Sequence, residues 1–431
     1  MSTPVSYLHP RDEILALMQR IYGYRMTTTS GGNLSIREDN GDVWITPARV
    51  DKGSLGREDI VRVRADGTVD GRRPPSSELP LHRKIYSRRP DIQGIVHAHP
   101  VALVAFSMAH EVPDTRLFHQ SWHVCREAAF APYELPGTDA LGDTVGEVFA
   151  RGNDCVILEN HGVVTAGSSL QQAFRRFETL EFTGKTIIKA RLLGDVRYLT
   201  QAEIALAHHR HEPMPEFERA APSSAEKELR NTLSGFVRRA YRQRLFISTQ
   251  GSFSARLDGS SFLITPYQLD RGACAAGDLA LIDRGRVEAG KTPSRAAAVH
   301  EAIYRRHAGV AAIVNAYPVN ATAFSVTGIP LDTRTIPESY VVARRVERTG
   351  YGLQFEDPEA LASRLSPAVP ALILDNDGVL VTGGGVLETF DRLEVIESTA
   401  EAIINCRAIG QLAPMPDRVI RELAAAFGLP E

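Results

Sequence analysis

The chain has 431 residues, 43% hydrophobic and 23% charged, with a formal net charge of -3. These values describe ordinary globular protein of two or three domains and provide no basic excess to attract nucleic acid or an anionic membrane. No uninterrupted apolar run approaches the roughly 18 residues of a membrane span.

In chain order, residues 11–23 form a helix, because Ile14, Leu15, Leu17, Met18 and Ile21 make an apolar stripe. Val43-Trp44-Ile45-Thr46 is a short strand stopped by Pro47. The segment from Ser76 to about Arg88 is helical, with Leu81, Ile85 and the stem of His82 on one side. Pro80 lies in its first turn, where a missing amide donor is harmless. The run from Gly94 to His99 is a strand broken by Pro100, and Cys155 to Leu158 is another that enters Glu159-Asn160-His161-Gly162. A long amphipathic helix follows from about Leu170 to Leu193. Residues 212–226, EPMPEFERAAPSSAE, are rich in Pro, Ser and charge and are expected to be a linker. Beyond it the same order of elements begins again. The start, MSTPVSYLHPRDEILALMQ, lacks a basic region followed by an apolar stretch, so no secretory leader is expected. Four scattered cysteines (Cys125, Cys155, Cys274, Cys406) suit reduced thiols in the cytoplasm.

The second half repeats the first. PSSELPLHRKIYSRRPDIQGIVHAHP, from Pro75, runs without a gap against PSRAAAVHEAIYRRHAGVAAIVNAYP, from Pro293, at a constant offset of 218. Gly32 to Arg37 answers to Gly251 to Arg256, Ile45-Thr46-Pro47 to Ile264-Thr265-Pro266, and Asp51-Lys52-Gly53 to Asp270-Arg271-Gly272. Leu158 to Gly162 answers to Leu374 to Gly378. Such a period, about 215 residues, is too long for a solenoid and marks a duplicated globular domain. The division expected is 1–215 and 216–431. His82 meets His300 and Tyr86 meets Tyr304, whereas Glu78, His97, His99 and His161 meet Ala296, Asn315, Tyr317 and Asp377.

That asymmetry points to a metal site in the first half. Residues i and i+2 of a strand share a face, so His97 and His99 present two imidazoles side by side. His161, before a glycine turn, could supply a third nitrogen and leave an open position for a substrate oxygen. The second repeat loses all three together, as expected if they serve chemistry. His82, matched by His300, is expected to be structural, as is Tyr133, matched by Tyr351. His208, His209 and His211 fit a solvated helix end. Glu78 follows Ser76-Ser77 at a helix start, where a serine cap and a favourable dipole are the plain explanation. The second copy, however, has Ser294-Arg295-Ala296, so the cap itself is dispensable and Glu78 is better explained as a general base beside the metal.

The motifs GGNLS, ITP, PSSE, HAHP and NHG, in this order, resemble the class II aldolase/adducin family across nearly the whole first half. The resemblance implies a three-layer α/β/α sandwich around a mixed, largely antiparallel sheet, here in tandem. It implies zinc, or another divalent ion such as manganese, iron, cobalt or nickel, on His97, His99 and His161, with Glu78 moving the proton. It implies a phosphate pocket of Asn33, Ser76 and Ser77. Two departures matter. Ala48-Arg49 stands where fuculose-phosphate-type aldolases have Thr-Gly, and Arg49 could clamp a phosphate or a carboxylate. The tyrosine those aldolases use as proton donor is missing from Arg116 to Gln120, so His119 or His123 are candidate substitutes.

The function expected is a metal-dependent lyase that cleaves or forms a C–C bond next to a carbonyl in a sugar, sugar phosphate or hydroxy-keto acid, through a metal-stabilised enediolate. An epimerase, dehydratase or decarboxylase of the same family, or a non-catalytic adducin-like scaffold, is the alternative. Because the family's aldolases are fourfold tetramers, a tandem chain is expected to form a homodimer with a pseudo-tetramer of domains.

Overall fold

Two sheets of the same topology account for the repeat. The structure, a computed structural model, describes residues 8–209 and 213–429. Residues 1–7, where a leader would begin, residue 212 of the expected linker, and His211 lie outside the described residues. By compactness the chain divides into Met1–Thr115 with Gln120–Lys185, and Arg116–His119 with Thr186–Glu431. The halves 1–215 and 216–431 are a division of repeats rather than of contacts.

In the first unit the strands are β1 (Asn33–Arg37), β2 (Val43–Ile45), β3 (Val61–Val63), β4 (Val69–Asp70), β5 (Gly94–Ala98), β6 (Ala129–Ala131), β7 (Cys155–Leu158) and β8 (Gly162–Gly167). Their order is β4-β3-β2-β1-β5-β8-β7-β6. Every neighbouring pair is antiparallel except β6 with β7. In the second unit they are β9 (Glu216–Phe217), β10 (Ser252–Arg256), β11 (Ser261–Ile264), β12 (Ala280–Asp283), β13 (Arg286–Glu288), β14 (Ala312–Ala316), β15 (Val346–Thr349), β16 (Ala371–Leu374) and β17 (Val379–Gly383). The order β15-β16-β17-β14-β10-β11-β12-β13-β9 repeats the first sheet, with β9 added on the edge parallel to β13. The registers correspond too. Asn33 lies opposite His97 across β1 and β5, and Ser252 lies opposite Asn315 across β10 and β14.

The first sheet is covered on both faces, which makes the three layers. Leu34, Trp44, Val96, Ala98, Ile157 and Val163 pack with the helices Pro10–Gly23 and Leu170–Leu193. Val43, Ile45, Ile95, Val156, Leu158 and Val164 pack on the other face, with the helices Leu79–Arg88 and Asp139–Ala150. Neighbours along a strand alternate between the two cores, as a pleated strand requires, and β5 is buried throughout because both its faces are covered. Truncating one of these side chains, such as Ile157 to alanine, costs about 2–5 kcal/mol.

Two details depart from the sequence expectation. The helix expected from Ser76 begins at Leu79, because Ser76 and Ser77 are used in the approach to it. The linker is not wholly irregular. It contains β9, and the helix Ser224–Arg242 starts inside it, with Ser223 accepting the Glu226 amide. A two-residue edge strand carries no periodicity to read. Among the described residues, no helix is long and apolar enough to cross a membrane.

Candidate metal centre and active site

Two short pieces of the first sheet converge on one spot. His97 is the fourth residue of β5, and His99 follows the strand's end by one residue. His161 sits in the tight hairpin between β7 and β8, where Asn160 takes a left-handed φ of 48° and the His161 amide donates to the Leu158 carbonyl. Gly162 follows because nothing larger fits: a Cβ there would lie 2.7 Å from the Ala98 carbonyl oxygen and 2.7 Å from the His99 ring.

The imidazoles form a compact triad with ring centroids 4.8–5.1 Å apart. One nitrogen from each lies within 4.8 Å of the others, and this is the one such group of potential ligands found among the described residues. His97 is fully buried, and its Nδ1 faces the Val163 carbonyl at 3.0 Å. With the proton on Nδ1, the Nε2 lone pair points inward, towards His99 Nε2 at 3.1 Å. A backbone acceptor that fixes the tautomer in this way is the usual support of a metal-bound histidine. The donor set, one nitrogen from each of three imidazoles, fits a divalent ion of the zinc type.

Glu78 completes the group. It stands just before the helix, at φ -94° and ψ 14°, and its side chain makes no cap bond. Instead Oε2 lies 3.0 Å from His97 Nε2, Oε1 lies 3.4 Å from His161 Nε2, and Asn33 Nδ2 donates to Oε2 at 2.7 Å. Neither this helix nor its counterpart in the second half has a side-chain cap; the serines form a turn just ahead of each. The Glu78 amide donates to Ser76 Oγ at 3.3 Å, and the Ala296 amide donates to Ser294 Oγ at 3.3 Å. That serine turn is kept in both halves, and what the second half dropped is the carboxylate.

Electrostatics follow from burial and proximity. Burial alone raises the Glu78 carboxyl, but the His97 charge, the hydrogen bonds from His97 and Asn33, and the His161 charge outweigh it and hold the group far below the usual carboxylate range. Burial lowers His97, yet the Glu78 charge and hydrogen bond prevail and raise it. Burial first, and the His97 charge second, push His99 down to about 3 and His161 down to about 4. The pocket thus holds an ionised Glu78 beside His97, whose charged form the carboxylate favours, and beside His99 and His161, which are neutral near pH 7.

The other expected residues divide into two groups. An isolated bridge pairs Pro47 with Pro75, and the Ser76 amide donates to the Thr46 carbonyl at 3.1 Å. This joins the Pro47-Ala48-Arg49 turn to the Ser76-Ser77 segment, with Arg49 exposed at φ 53° and Ser77 exposed. Asn33, Ser76 and Glu78 are buried beneath. His119 is placed differently. It belongs to the second compact unit, where its ring packs edge-on to Phe355 at 5.0 Å and tilted to Tyr351 at 6.3 Å.

In the second unit the corresponding spot is closed by side chains. Tyr317, in place of His99, donates its hydroxyl to Asp377, in place of His161, at 3.0 Å, and Gln354 donates to the other oxygen of Asp377 at 3.1 Å. Gly378 is as confined as Gly162, since a Cβ would lie 2.3 Å from the Ala316 carbonyl oxygen. Two supports escaped the sequence reading. Lys52, 2% exposed, donates to the Pro47 carbonyl, and Arg271 donates to that of Pro266. Glu181 accepts the Leu103 amide, while Glu397 accepts those of Asn320 and Ala321, so each holds the start of the helix after the HAHP or NAYP run. Both pairs recur in register, which was the signal available.

The family description Class II Aldolase and Adducin N-terminal domain matches residues 12–188 and, again, 231–404. The chain belongs to this family. It falls among the class II aldolase-superfamily enzymes, whose sugar-phosphate chemistry is generally divalent-metal dependent. A 5-deoxy-D-ribulose 1-phosphate aldolase of Bacillus thuringiensis serovar kurstaki is 32% identical over 197 residues, 45% of this chain and 91% of that protein. A 3-oxo-tetronate 4-phosphate decarboxylase of Escherichia coli K12 is 31% identical over 201 residues, 45% of this chain and 93% of that protein. Among solved structures, an L-fuculose 1-phosphate aldolase shares 27% identity, with a TM-score of 0.42 over 48% of this chain and 97% of that one.

Proposed function

We propose that this protein is a metal-dependent lyase that makes or breaks a C–C bond adjacent to a carbonyl in a phosphorylated hydroxy-carbonyl compound. The observation that carries this reading is the Glu78 carboxylate, buried and held by Asn33 within 3.0 Å of His97 and 3.4 Å of His161. His97, His99 and His161 would hold the ion, most simply zinc, with manganese, iron, cobalt or nickel compatible with the same ligands. A bound divalent ion supplies Lewis-acid polarisation of the substrate's carbonyl oxygen.

The remaining work falls to the chain. Glu78, ionised at neutral pH, takes the proton from the atom next to the carbonyl and returns it. Asn33 keeps Oε2 from swinging away, and its second amide N–H is left for the substrate. The exposed Ser77 and Arg49, above the buried Ser76, offer a hydroxyl and a guanidinium suited to a phosphate. On the sequence, His119 remains the residue proposed to give the proton on the far side of the bond, in place of the tyrosine of the related aldolases. Decarboxylation of a 3-oxo acid phosphate is the second reading, favoured by the 31% identity to the decarboxylase above; it uses the same polarised carbonyl and the same proton carrier. The cytoplasm is the compartment proposed, since all four cysteines are free.

The test is a screen of zinc-loaded protein against phosphorylated and unphosphorylated ketoses and 3-oxo acids, followed by Glu78→Gln. Turnover should fall by about 10²–10⁴-fold while metal content stays near one per chain. Near-normal turnover in Glu78→Gln would overturn the assignment.

A further inference from the structure

His82 lies beneath the active site, paired by the duplication with His300, and its hydrogen bonds reach further than a packing role requires. Tyr86 OH is 2.7 Å from Ser35 Oγ, Ser35 Oγ is 2.6 Å from His82 Nδ1, and His82 Nε2 is 2.5 Å from Asn33 Oδ1. Asn33 Nδ2 then donates to Glu78 Oε2 at 2.7 Å. Ser35 and His82 are 0% exposed, Tyr86 is 3% and Asn33 4%, so water does not compete for these bonds. The last link fixes the direction of the others. An ionised carboxylate only accepts, so the Asn33 amide nitrogen must face Glu78 and its oxygen must face His82. His82 must then donate from Nε2 and accept at Nδ1, which obliges Ser35 to donate to it and Tyr86 to donate to Ser35. All four bonds run one way, towards Glu78.

The second unit shows what the relay is without its output. Tyr304 OH is 2.7 Å from Ser254 Oγ, and Ser254 Oγ is 2.7 Å from His300 Nδ1, as in the first unit. Yet Ser252 occupies the place of Asn33, Ala296 that of Glu78, and His300 Nε2 instead meets Asn315 Oδ1 at 2.7 Å. Asn315 occupies the position of His97. The Tyr-Ser-His part belongs to the fold in both halves, and only the first half delivers it to a carboxylate.

We propose that His82 is a positioning residue. By donating to Asn33 it prevents that amide from flipping, keeps an N–H on Glu78, and keeps the second N–H facing the substrate's anionic group. Were the amide to flip, its oxygen would oppose Glu78 and both donors would be lost at once. This rests on Glu78 being the proton carrier, as read above. His82→Leu removes the donor with a side chain of fitting size, and His82→Gln restores an N–H towards Asn33 and an acceptor towards Ser35. His300→Leu makes the same change where no carboxylate waits, and so isolates the purely structural effect.

The experiment compares these variants in two ways. The first follows exchange of the hydroxymethyl protons of dihydroxyacetone phosphate with D2O by NMR, with zinc-loaded protein. The rate constant should fall about 10- to 100-fold in His82→Leu, the scale set by a misplacement of about 1 Å. It should largely return in His82→Gln, and should stay unchanged in His300→Leu even where both leucine variants lower the melting temperature. In a Glu78→Gln background His82→Leu should cost little more. The second is the crystal structure of His82→Leu, in which the Asn33–Glu78 bond should be broken or the Glu78 carboxylate displaced. Full exchange activity in His82→Leu, or equal losses in the His82 and His300 variants, overturns the proposal. If wild-type protein exchanges no protons and Glu78→Gln changes nothing, the reading of Glu78 fails; the crystal structure then decides the relay, and an intact 2.7 Å bond in His82→Leu overturns it.

Discussion

Gly162→Ala should damage the metal site through one methyl group. The backbone at Gly162 is not in the left-handed region, so alanine is tolerated conformationally and only space is at issue. The new Cβ would lie 2.7 Å from the Ala98 carbonyl oxygen and 2.7 Å from the His99 ring carbon Cδ2. The carbonyl is part of the β5–β8 pairing and cannot move far, so His99 must turn aside. Overpacking of this kind costs about 1–3 kcal/mol. At roughly 2–4 °C per kcal/mol for a domain of this size, melting falls by about 2–12 °C. Zinc should suffer more than stability, because metal–ligand distances are tolerated only to about ±0.2 Å. A loss of at least ~10-fold in zinc affinity is expected, the lower end of the effect of disturbing a ligand's support.

Gly378→Ala is the matched control. Its Cβ would meet the Ala316 carbonyl oxygen at 2.3 Å and the Tyr317 ring at 3.0 Å, a tighter clash in the second unit. Melting should fall at least as far, with zinc affinity unchanged. Calorimetry and competition with a chromophoric chelator read the two quantities separately. Wild-type zinc affinity in Gly162→Ala, or an equal loss in both variants, would refute the reasoning.

The remaining expectations concern charge, stoichiometry and assembly. His161→Ala should reduce bound zinc from about one per chain to well below it, checked by elemental analysis; two equivalent metals per wild-type chain would contradict the single site. Arg49→Ala should raise KM for a phosphorylated substrate about 10-fold or more, with a smaller effect on its unphosphorylated analogue; equal effects on both would remove Arg49 from the phosphate rim. Burial, partly offset by the amides of Ala321 and Asn320, pushes the Glu397 carboxyl up to about 7. A carboxyl raised on folding stabilises fully below its unfolded value of 4.5 and loses that contribution as pH rises to about 7. Unfolding free energies from urea titration should therefore decline over that window by on the order of 3 kcal/mol, and the decline should flatten in Glu397→Gln; an equal slope in both proteins rejects it. Sedimentation should give a homodimer, and a mass near 47.2 kDa would exclude the pseudo-tetramer of domains.

What the sequence revealed, and what it hid, follows from the range over which each signal acts. The alternation that put His97 beside His99 is local, and the offset linking the halves is plain arithmetic, so the triad and its loss were legible together. The direction of the Glu78 side chain was legible only through its loss, as Ala296, in the second copy. A glutamate at a helix start looks the same whether it turns back to cap the amides or forward to a histidine on another strand, and only the pairing of β1 with β5 places Asn33 where it can pull Glu78 forward. His82 was hidden for the opposite reason. Its recurrence as His300 marked it as structural, which it is, yet recurrence cannot show that one copy's last hydrogen bond ends on a carboxylate and the other's on Asn315. A residue kept in both halves of a duplication therefore does not lack a part in the chemistry; its role in the active half is set by what stands at the next position of the chain of bonds. Asn33 replaced by serine in the second half was the visible mark of that difference. It becomes meaningful only once the register brings positions 33, 78 and 82 together.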